Sequence, residues 1–119
     1  MYKMFSNCKL LKSLDLSNFN TSQVNNMNSI FYNCLSLSSL NLSNFDTSQD
    51  IDMNRMFAIC QKLSNLDLSN FDTSKVNNMS YTFYNCTNIN NLELSNFNTS
   101  QVIDMDFMFS NCFSLNSIN

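Results

Sequence analysis

Residues 14–33 read LDLSNFNTSQVNNMNSIFYN, and this stretch decides the fold because the chain repeats it. Cysteine recurs at positions 8, 34, 60, 86 and 112, so every interval is 26 residues. The string Leu-Ser-Asn-Phe recurs at the same interval, without insertions. A fixed period of about 20–50 residues is typical of solenoids and propellers. We therefore expect a single solenoid domain over residues 1–119, interpreted as a fragment of a longer array because Met1 aligns with Met27 in the middle of a repeat.

Two hydrophobic periods within each repeat predict its secondary structure. Leu14 and Leu16 alternate with polar residues, which favours a short strand with one buried face. Apolar residues at 27, 30, 31 and 34 follow the i, i+3, i+4, i+7 spacing of a short helix, with Asn26 before it as a helix cap. We expect strands at residues 13–17, 39–43, 65–69, 91–95 and 117–119, and helices at 27–34, 53–60, 79–86 and 105–112.

Comparison of the repeats separates interior from surface. The phenylalanine column at 5, 31, 57, 83 and 109 does not vary and is assigned to the interior. The column Lys3, Ser29, Arg55, Tyr81 and Phe107 varies freely and is expected to be exposed. Because glycine and proline are absent, Asn, Asp and Ser must supply the turn conformations, including those with positive φ.

One inward column contains a charge. Valine occupies positions 24, 76 and 102, but the equivalent residue in the second repeat is Asp50. A buried carboxylate without a partner is costly. We therefore expect a local shift that turns Ile51 inward and places Asp50 in solvent.

The repeat also resembles a known family. The pattern L-x-x-L-x-L-S-N-F-x-T-S-x-V-x-x-M-x-x-M-F-x-x-C covers residues 11–34, with Ile30 in place of the second methionine. It is similar to the repeat of BspA-like leucine-rich-repeat surface proteins of bacteria, mycoplasmas and some protists. The resemblance implies an α/β fold, a right-handed leucine-rich-repeat-type solenoid of about 4.5 repeats with a parallel β-sheet on one face and short helices on the other. It also implies an extracellular, cell-surface location and a role in adhesion or in binding a protein or glycan, without catalytic residues.

Composition argues against several other functions. A net charge of −3 is unsuited to nucleic acid, and no apolar run in this segment approaches the ~20 residues of a membrane helix. Without histidine or glycine there is no catalytic triad, His-x-x-x-His zinc helix or P-loop, so we expect no enzyme activity and no cofactor or metal. The five cysteines occur once per repeat, and we expect them to be free, buried thiols.

Two sets of exposed residues are candidates for binding. The first is the outward face of the predicted sheet, an acidic, amide-rich strip for a partner's basic groups, formed by Ser13, Asp15, Ser39, Asn41, Asn65, Asp67, Asn91 and Glu93. The alternative is a solvated face whose charges oppose aggregation. The second set is Tyr81, Phe107 and Phe113, because aromatic residues are favoured at interfaces, although half-burial beneath neighbouring repeats is equally consistent with the pattern. An alternative function is structural, in which copies associate end to end into fibres or a surface layer.

Overall fold

Residues 27–34 form a ribbon of tight turns in the computed structural model, which describes all of residues 1–119. The N–H groups of residues 30, 32 and 34 each donate to the carbonyl three positions earlier, as in β-turns. The N–H groups of residues 29, 31 and 33 instead donate to the carbonyls of residues 54, 56 and 58, at 2.8–3.0 Å. Donors therefore alternate between the local turn and the next repeat. We call this segment and its counterparts, residues 1–8, 53–60, 79–86 and 105–112, the turn ribbon.

The predicted helices are wrong, since the structure contains no helix at residues 27–34, 53–60, 79–86 or 105–112. An α-helix needs every N–H to bond the carbonyl four residues earlier, and here alternate N–H groups bond the neighbouring repeat. The burial pattern that suggested the helix is nevertheless present, because Met27, Ile30, Phe31 and Cys34 are all fully buried. A chain of turns places the same four positions inward as two turns of a helix.

The predicted sheet is also wrong for most of the chain. The strands are β1, Asn91–Leu92, and β2, Ser117–Ile118, which pair in parallel with Asn91 opposite Ser117 and Leu92 opposite Ile118. Isolated parallel bridges join Asp52 to Asn78 and Asn78 to Asp104. Residues 13–17, 39–43 and 65–69 are not strands. The α/β solenoid with a parallel sheet and a helical face is therefore not the fold of this chain, which consists mostly of turns and loops.

Side chains replace the sheet in the segments that contain the leucines. We call residues 14–21, 40–47, 66–73 and 92–99 the leucine segment. The Thr47 hydroxyl donates to the carbonyl of Asp72 at 2.9 Å and accepts from the N–H of Asp72 at 2.8 Å. Thr21 and Thr73 make the same pair of bonds with the repeat that follows each of them. The Asn70 amide donates to the carbonyls of Leu42 and Phe45, at 3.0 and 2.7 Å.

The core follows from the stacking of equivalent side chains. The rings of Phe5, Phe31, Phe57, Phe83 and Phe109 lie 5.6–5.7 Å apart between neighbours and within 11° of parallel. The three central rings are fully buried, which confirms the interior assignment of this column. One cluster of 23 buried residues runs from Leu16 to Met108. The structure contains no helix with the length and apolarity needed to cross a membrane.

The expectation for Asp50 is wrong. Asp50 is fully buried, whereas Ile51 is 43 % exposed. One carboxylate oxygen accepts from the N–H groups of Met27 and Asp52, at 3.1 and 3.3 Å, and these bonds partly replace the lost water. The other oxygen has no hydrogen-bond partner. Burial raises the pKa of this carboxyl to about 6, against the bonds from the two N–H groups, which lower it.

Candidate functional site

The turn ribbon holds ten residues in the left-handed backbone region. They are Lys3, Asn7, Ser29, Asn33, Arg55, Ile59, Tyr81, Asn85, Phe107 and Asn111, with φ between 55° and 64°. They occupy the third and seventh positions of each ribbon segment, which we call the third row and the seventh row. Each lies at the second central position of a turn that requires positive φ.

The two rows differ in chemistry. The seventh row is asparagine in four of its five positions, and asparagine tolerates positive φ better than most residues. This part of the expectation about turn residues is confirmed. The third row contains Lys, Ser, Arg, Tyr and Phe, of which the long and aromatic types pay roughly 1–2 kcal/mol for the same conformation. The requirements of turn formation therefore do not explain why these residue types occupy the third row.

A groove of about 480 Å³ crosses three repeats of the turn ribbon at its third row. It is lined by Tyr2, Lys3, Ser6, Asn7, Asn28, Ser29, Tyr32, Asn54 and Arg55. Ser29 is only 3 % exposed, contrary to the expectation that the third row is exposed throughout. The small buried serine lies between two longer exposed residues of the row, Lys3 and Arg55, and so forms the floor of the groove.

Both cations of the groove are held by uncharged groups. The Lys3 ammonium lies 4.9 Å from the centre of the Tyr2 ring. The Arg55 guanidinium lies 4.6 Å from the centre of the Tyr81 ring, and its Nη1 donates to the Asn54 amide oxygen at 2.9 Å. Cation–π contacts of this kind orient a cation without neutralising it. Lys3 and Arg55 therefore keep their charge available to a ligand.

The aromatic candidates separate into two places. Tyr81 stacks on Phe107 with ring centres 5.1 Å apart, and Tyr84 meets Tyr81 edge-on at 5.5 Å. Phe107 is 58 % exposed and Tyr81 is half-buried. Together with Arg55, they continue the third row beyond the groove. Phe113 is 79 % exposed but lies outside the turn ribbon and contacts no other aromatic ring.

The residues predicted for the sheet face form a row, but most of them lie in loops rather than in strands. All eight are exposed: Ser13, Asp15, Ser39, Asn41, Asn65, Asp67, Asn91 and Glu93. Except at Asn91, they do not lie on a strand. Asp15 accepts from the N–H of Ser17 at 2.9 Å, and the equivalent bonds in the other repeats reach Ser43, Ser69 and Ser95.

These carboxylates are therefore local turn-formers that remain ionised. The bond from the Ser17 N–H lowers the pKa of Asp15, and the corresponding bond from Ser69 lowers the pKa of Asp67. Residues of this row line two shallow depressions of about 370 and 340 Å³ that share Asn65, Leu66 and Asp67. Asp67 lines both depressions and Glu93 lines the second, so their negative charge suits a basic partner.

All five cysteines are free, as expected, but Cys8 is exposed, so the expectation that all of them are buried is wrong. The other four are unsuited to nucleophilic chemistry. The Cys60 thiol donates to the Phe31 carbonyl at 3.1 Å, and the thiols of Cys34, Cys86 and Cys112 make equivalent bonds to the preceding repeat. Burial raises the pKa of Cys34 to about 11, and it raises the pKa of Cys60 further. Because the thiolate is the reactive form, these side chains are inert at neutral pH.

Sequence reasoning missed the groove at Lys3 and Arg55. It treated the third row as one exposed column and did not consider Tyr2, Asn28 or Asn54. The available signal was the alternation of size between neighbouring repeats, with small Ser29 between Lys3 and Arg55. That signal could be interpreted only once the structure showed that Ser29 is buried between two exposed cations.

Comparisons with known proteins agree with the repeat pattern. A family model described as "Mycoplasma protein of unknown function, DUF285" matches residues 1–118. No curated protein matches the chain. A similar solved structure is that of a leucine-rich cell surface protein from Faecalibacterium prausnitzii, with 23 % identity and a TM-score of 0.54. The similarity covers 77 % of this chain and 22 % of that protein, and at this identity it concerns the fold alone.

Proposed function

We propose that this chain, which belongs to the DUF285 family of Mycoplasma proteins, is a non-enzymatic binding module displayed on the outer surface of the cell. The description of the structural neighbour as a cell surface protein supports this location. The similarity of the repeat to that of BspA-like surface proteins supports it as well. The module acts in adhesion by contacting a protein or glycan.

The third row of the turn ribbon is the observation that carries this proposal. Its outward side chains include Lys3, Arg55, Tyr81 and Phe107, all held at φ of 55–58°. Asparagine would fit these turns at lower cost, as the seventh row shows. Residues in strained backbone conformations are concentrated at functional sites. Arginine and tyrosine are also the residue types that dominate binding energy at interfaces.

Binding would occur by contact over an extended surface. Hydrogen bonds between adjacent repeats fix the backbone at every second ribbon residue, so the third-row side chains project from a rigid support. A rigid contact surface loses little conformational entropy when a partner binds. The stacked pair Tyr81 and Phe107 supplies apolar contact area, while Arg55 beside it supplies charge.

The first experiment tests the contact row. We would immobilise fibronectin, collagen and mucin, and measure binding of the purified chain and of the double variant Tyr81→Asn/Phe107→Asn. Asparagine favours the native turn, so the fold is retained while the contact side chains are lost. We expect binding to at least one of the three ligands, and a loss of about tenfold or more in the variant. Ile103→Asn is the matched control, because Ile103 is 87 % exposed but lies outside the row.

The second experiment tests location and state of association. Antibodies against the chain should label intact cells as strongly as permeabilised ones, and labelling only after permeabilisation would contradict surface display. The purified chain should remain monomeric during size-exclusion chromatography over a wide concentration range. Rods that lengthen with concentration, together with no binding to any of the three ligands, would instead support the structural alternative.

A further inference from the structure

The groove between Lys3 and Arg55 can be assigned a more specific binding role than a general contact surface. We infer that it binds a carboxylated saccharide, such as one that ends in a sialic or uronic acid. The inference rests on the proposed surface-binding function and names the class of ligand for one part of the third row. Its evidence is the shape of the groove, its charge and the hydrogen-bonding groups that line it.

The shape results from the order of side-chain sizes in two neighbouring rows. In the third row, buried Ser29 separates Lys3 from Arg55. These two cations are two repeats apart, or roughly 10 Å at the usual spacing of about 4.8 Å between paired chains. In the row three positions later, Tyr32 stands between the small residues Ser6 and Ala58. The resulting volume of about 480 Å³ is within the usual range of about 300–1,000 Å³ for small-molecule sites.

The charge of the groove is opposite to that of the protein. The chain carries a net charge of −3, yet the nine lining residues include two cations and no carboxylate. The carboxylate of Asp52 is not among the lining residues, and it accepts hydrogen bonds from the amides of Asn28 and Asn26, at 3.0 and 3.4 Å. A carboxylate between Lys3 and Arg55 would therefore meet uncompensated positive charge. Arg55 is well suited to grip it, because only one of its five N–H donors is used within the chain.

The remaining lining groups suit hydroxyl groups better than apolar surface. Three amides and two serine hydroxyls line the groove, at Asn7, Asn28, Asn54, Ser6 and Ser29. The only two hydrophobic lining residues are Tyr2 and Tyr32, and each combines a flat ring face with a polar hydroxyl. Tyr2 is 59 % exposed, so its ring is accessible to the C–H face of a sugar. The amide N–H donors of Asn28 and Asn54 and the Ser29 hydroxyl donate within the chain, so the donors left for a sugar are the Ser6 hydroxyl, one amide hydrogen of Asn7 and the tyrosine hydroxyls. A polyhydroxylated ring that carries one carboxylate suits these groups together with the two cations.

An acidic peptide is the competing ligand, and the groove favours it less. A peptide binds best through backbone hydrogen bonds to an exposed strand edge or through apolar anchors in pockets. The groove offers neither, because the backbone N–H groups of all its lining residues except Tyr2 already donate within the chain. An acidic peptide is therefore included as a separate arm of the test.

The test measures binding of the purified chain to 3′-sialyllactose, digalacturonate, lactose and a hexaglutamate peptide by ligand-observed NMR. We expect at least one of the acidic sugars to bind about tenfold or more tightly than lactose, since charge-assisted hydrogen bonds are the stronger kind. Added salt should weaken this binding. The double variant Lys3→Gln/Arg55→Gln should lose it, whereas Lys12→Gln/Lys62→Gln removes the same charge at exposed positions outside the groove and should retain it.

A third variant tests the shape independently of charge. Ser29→Tyr fills the floor of the groove with a residue type that the third row already accommodates at Tyr81, and it should abolish binding of the acidic sugar. The inference is overturned if neither acidic sugar binds, if Ser29→Tyr binds as the parent does, or if hexaglutamate binds at the groove more tightly than the sugars. Each of these results, combined with retained binding to fibronectin, collagen or mucin, would leave the proposed function standing.

Discussion

The turn ribbon and the leucine segment both join adjacent repeats by hydrogen bonds, but the groups that form these bonds differ. In the ribbon, the backbone connects adjacent repeats, because every second N–H donates to a carbonyl of the next repeat. In the leucine segment, the Asp15 side chain takes the Ser17 N–H, and equivalent bonds occupy Ser43, Ser69 and Ser95. Side chains such as Thr47 and Asn70 then connect the repeats.

This difference explains which positions can vary. Backbone hydrogen bonds do not depend on the side chain, so the third row of the ribbon can contain Lys, Ser, Arg, Tyr and Phe. In the leucine segment the connecting group is itself a side chain, so threonine stands at 21, 47, 73 and 99 and asparagine at 18, 44, 70 and 96. Variable binding residues are therefore compatible with the ribbon.

We expect the largest effect on the free energy of unfolding at Asp50, a buried carboxyl group that accepts hydrogen bonds from the ribbon backbone. Its pKa of about 6 in the folded chain lies above the ordinary value of 3.8 for an aspartate, so protonation favours folding. The contribution of Asp50 to stability is complete below pH 4 and is lost as the pH rises through 6. Converted by linkage, the loss is about 3 kcal/mol. We expect Asp50→Asn to match the parent at pH 4 and to exceed its free energy of unfolding by about this amount at pH 7, in urea titrations.

The control for this prediction should show the opposite dependence of stability on pH. The bond from the side chain of Ser48 lowers the pKa of exposed Asp46, so its contribution is present at neutral pH and is lost as the pH falls. Asp46→Asn should therefore reduce stability at pH 7 and have little effect at low pH. A constant difference between Asp50→Asn and the parent from pH 4 to pH 7 would show that Asp50 does not titrate in this range.

A pair of buried threonines tests the comparison directly. Thr47 is in the leucine segment and Thr82 is in the ribbon, and they are 1 % and 2 % exposed. Thr47→Val leaves the N–H of Asp72 without its acceptor, so we expect a loss of about 2 kcal/mol in the free energy of unfolding. Thr82 donates only to the carbonyls of Met53 and Met79, and both also accept from ribbon N–H groups. Thr82→Val should therefore cost no more than the net value of one hydrogen bond, about 1 kcal/mol or less. Equal losses in chemical denaturation would contradict the assignment of different roles to side chains in the two regions.

The sequence predicted the interior better than the backbone. In the columns that contain Leu42, Phe57 and Cys60, the residues of the central repeats are buried as the repeats indicated, because burial depends on side-chain hydrophobicity. The helix prediction was wrong because i, i+3, i+4, i+7 spacing also fits a ribbon of turns. Hydrophobic periodicity does not reveal where the N–H groups donate. The prediction for Asp50 was wrong because its burial depends on two backbone N–H donors that only the folded chain brings together. The exposed carboxylates at Asp15 and Asp67 were recognised, but the groove at Ser29 required the third row to be seen in three dimensions.

Ile59 gives the smallest expected effect and tests the backbone cost in the ribbon. It is the one β-branched residue of the seventh row, with φ of 64°, whereas the other four positions are asparagine. Ile59→Asn removes a strain of roughly 1–2 kcal/mol but loses some apolar burial, so we expect a net gain of about 1 kcal/mol in thermal or urea unfolding. Ile51→Asn is the control, because Ile51 is 43 % exposed and has no positive φ, and its effect should stay within about 0.5 kcal/mol. If Ile59→Asn were no more stable than the control, the left-handed conformation would carry little cost in this ribbon. The choice of Lys, Arg, Tyr and Phe in the third row would then lose its value as evidence for binding.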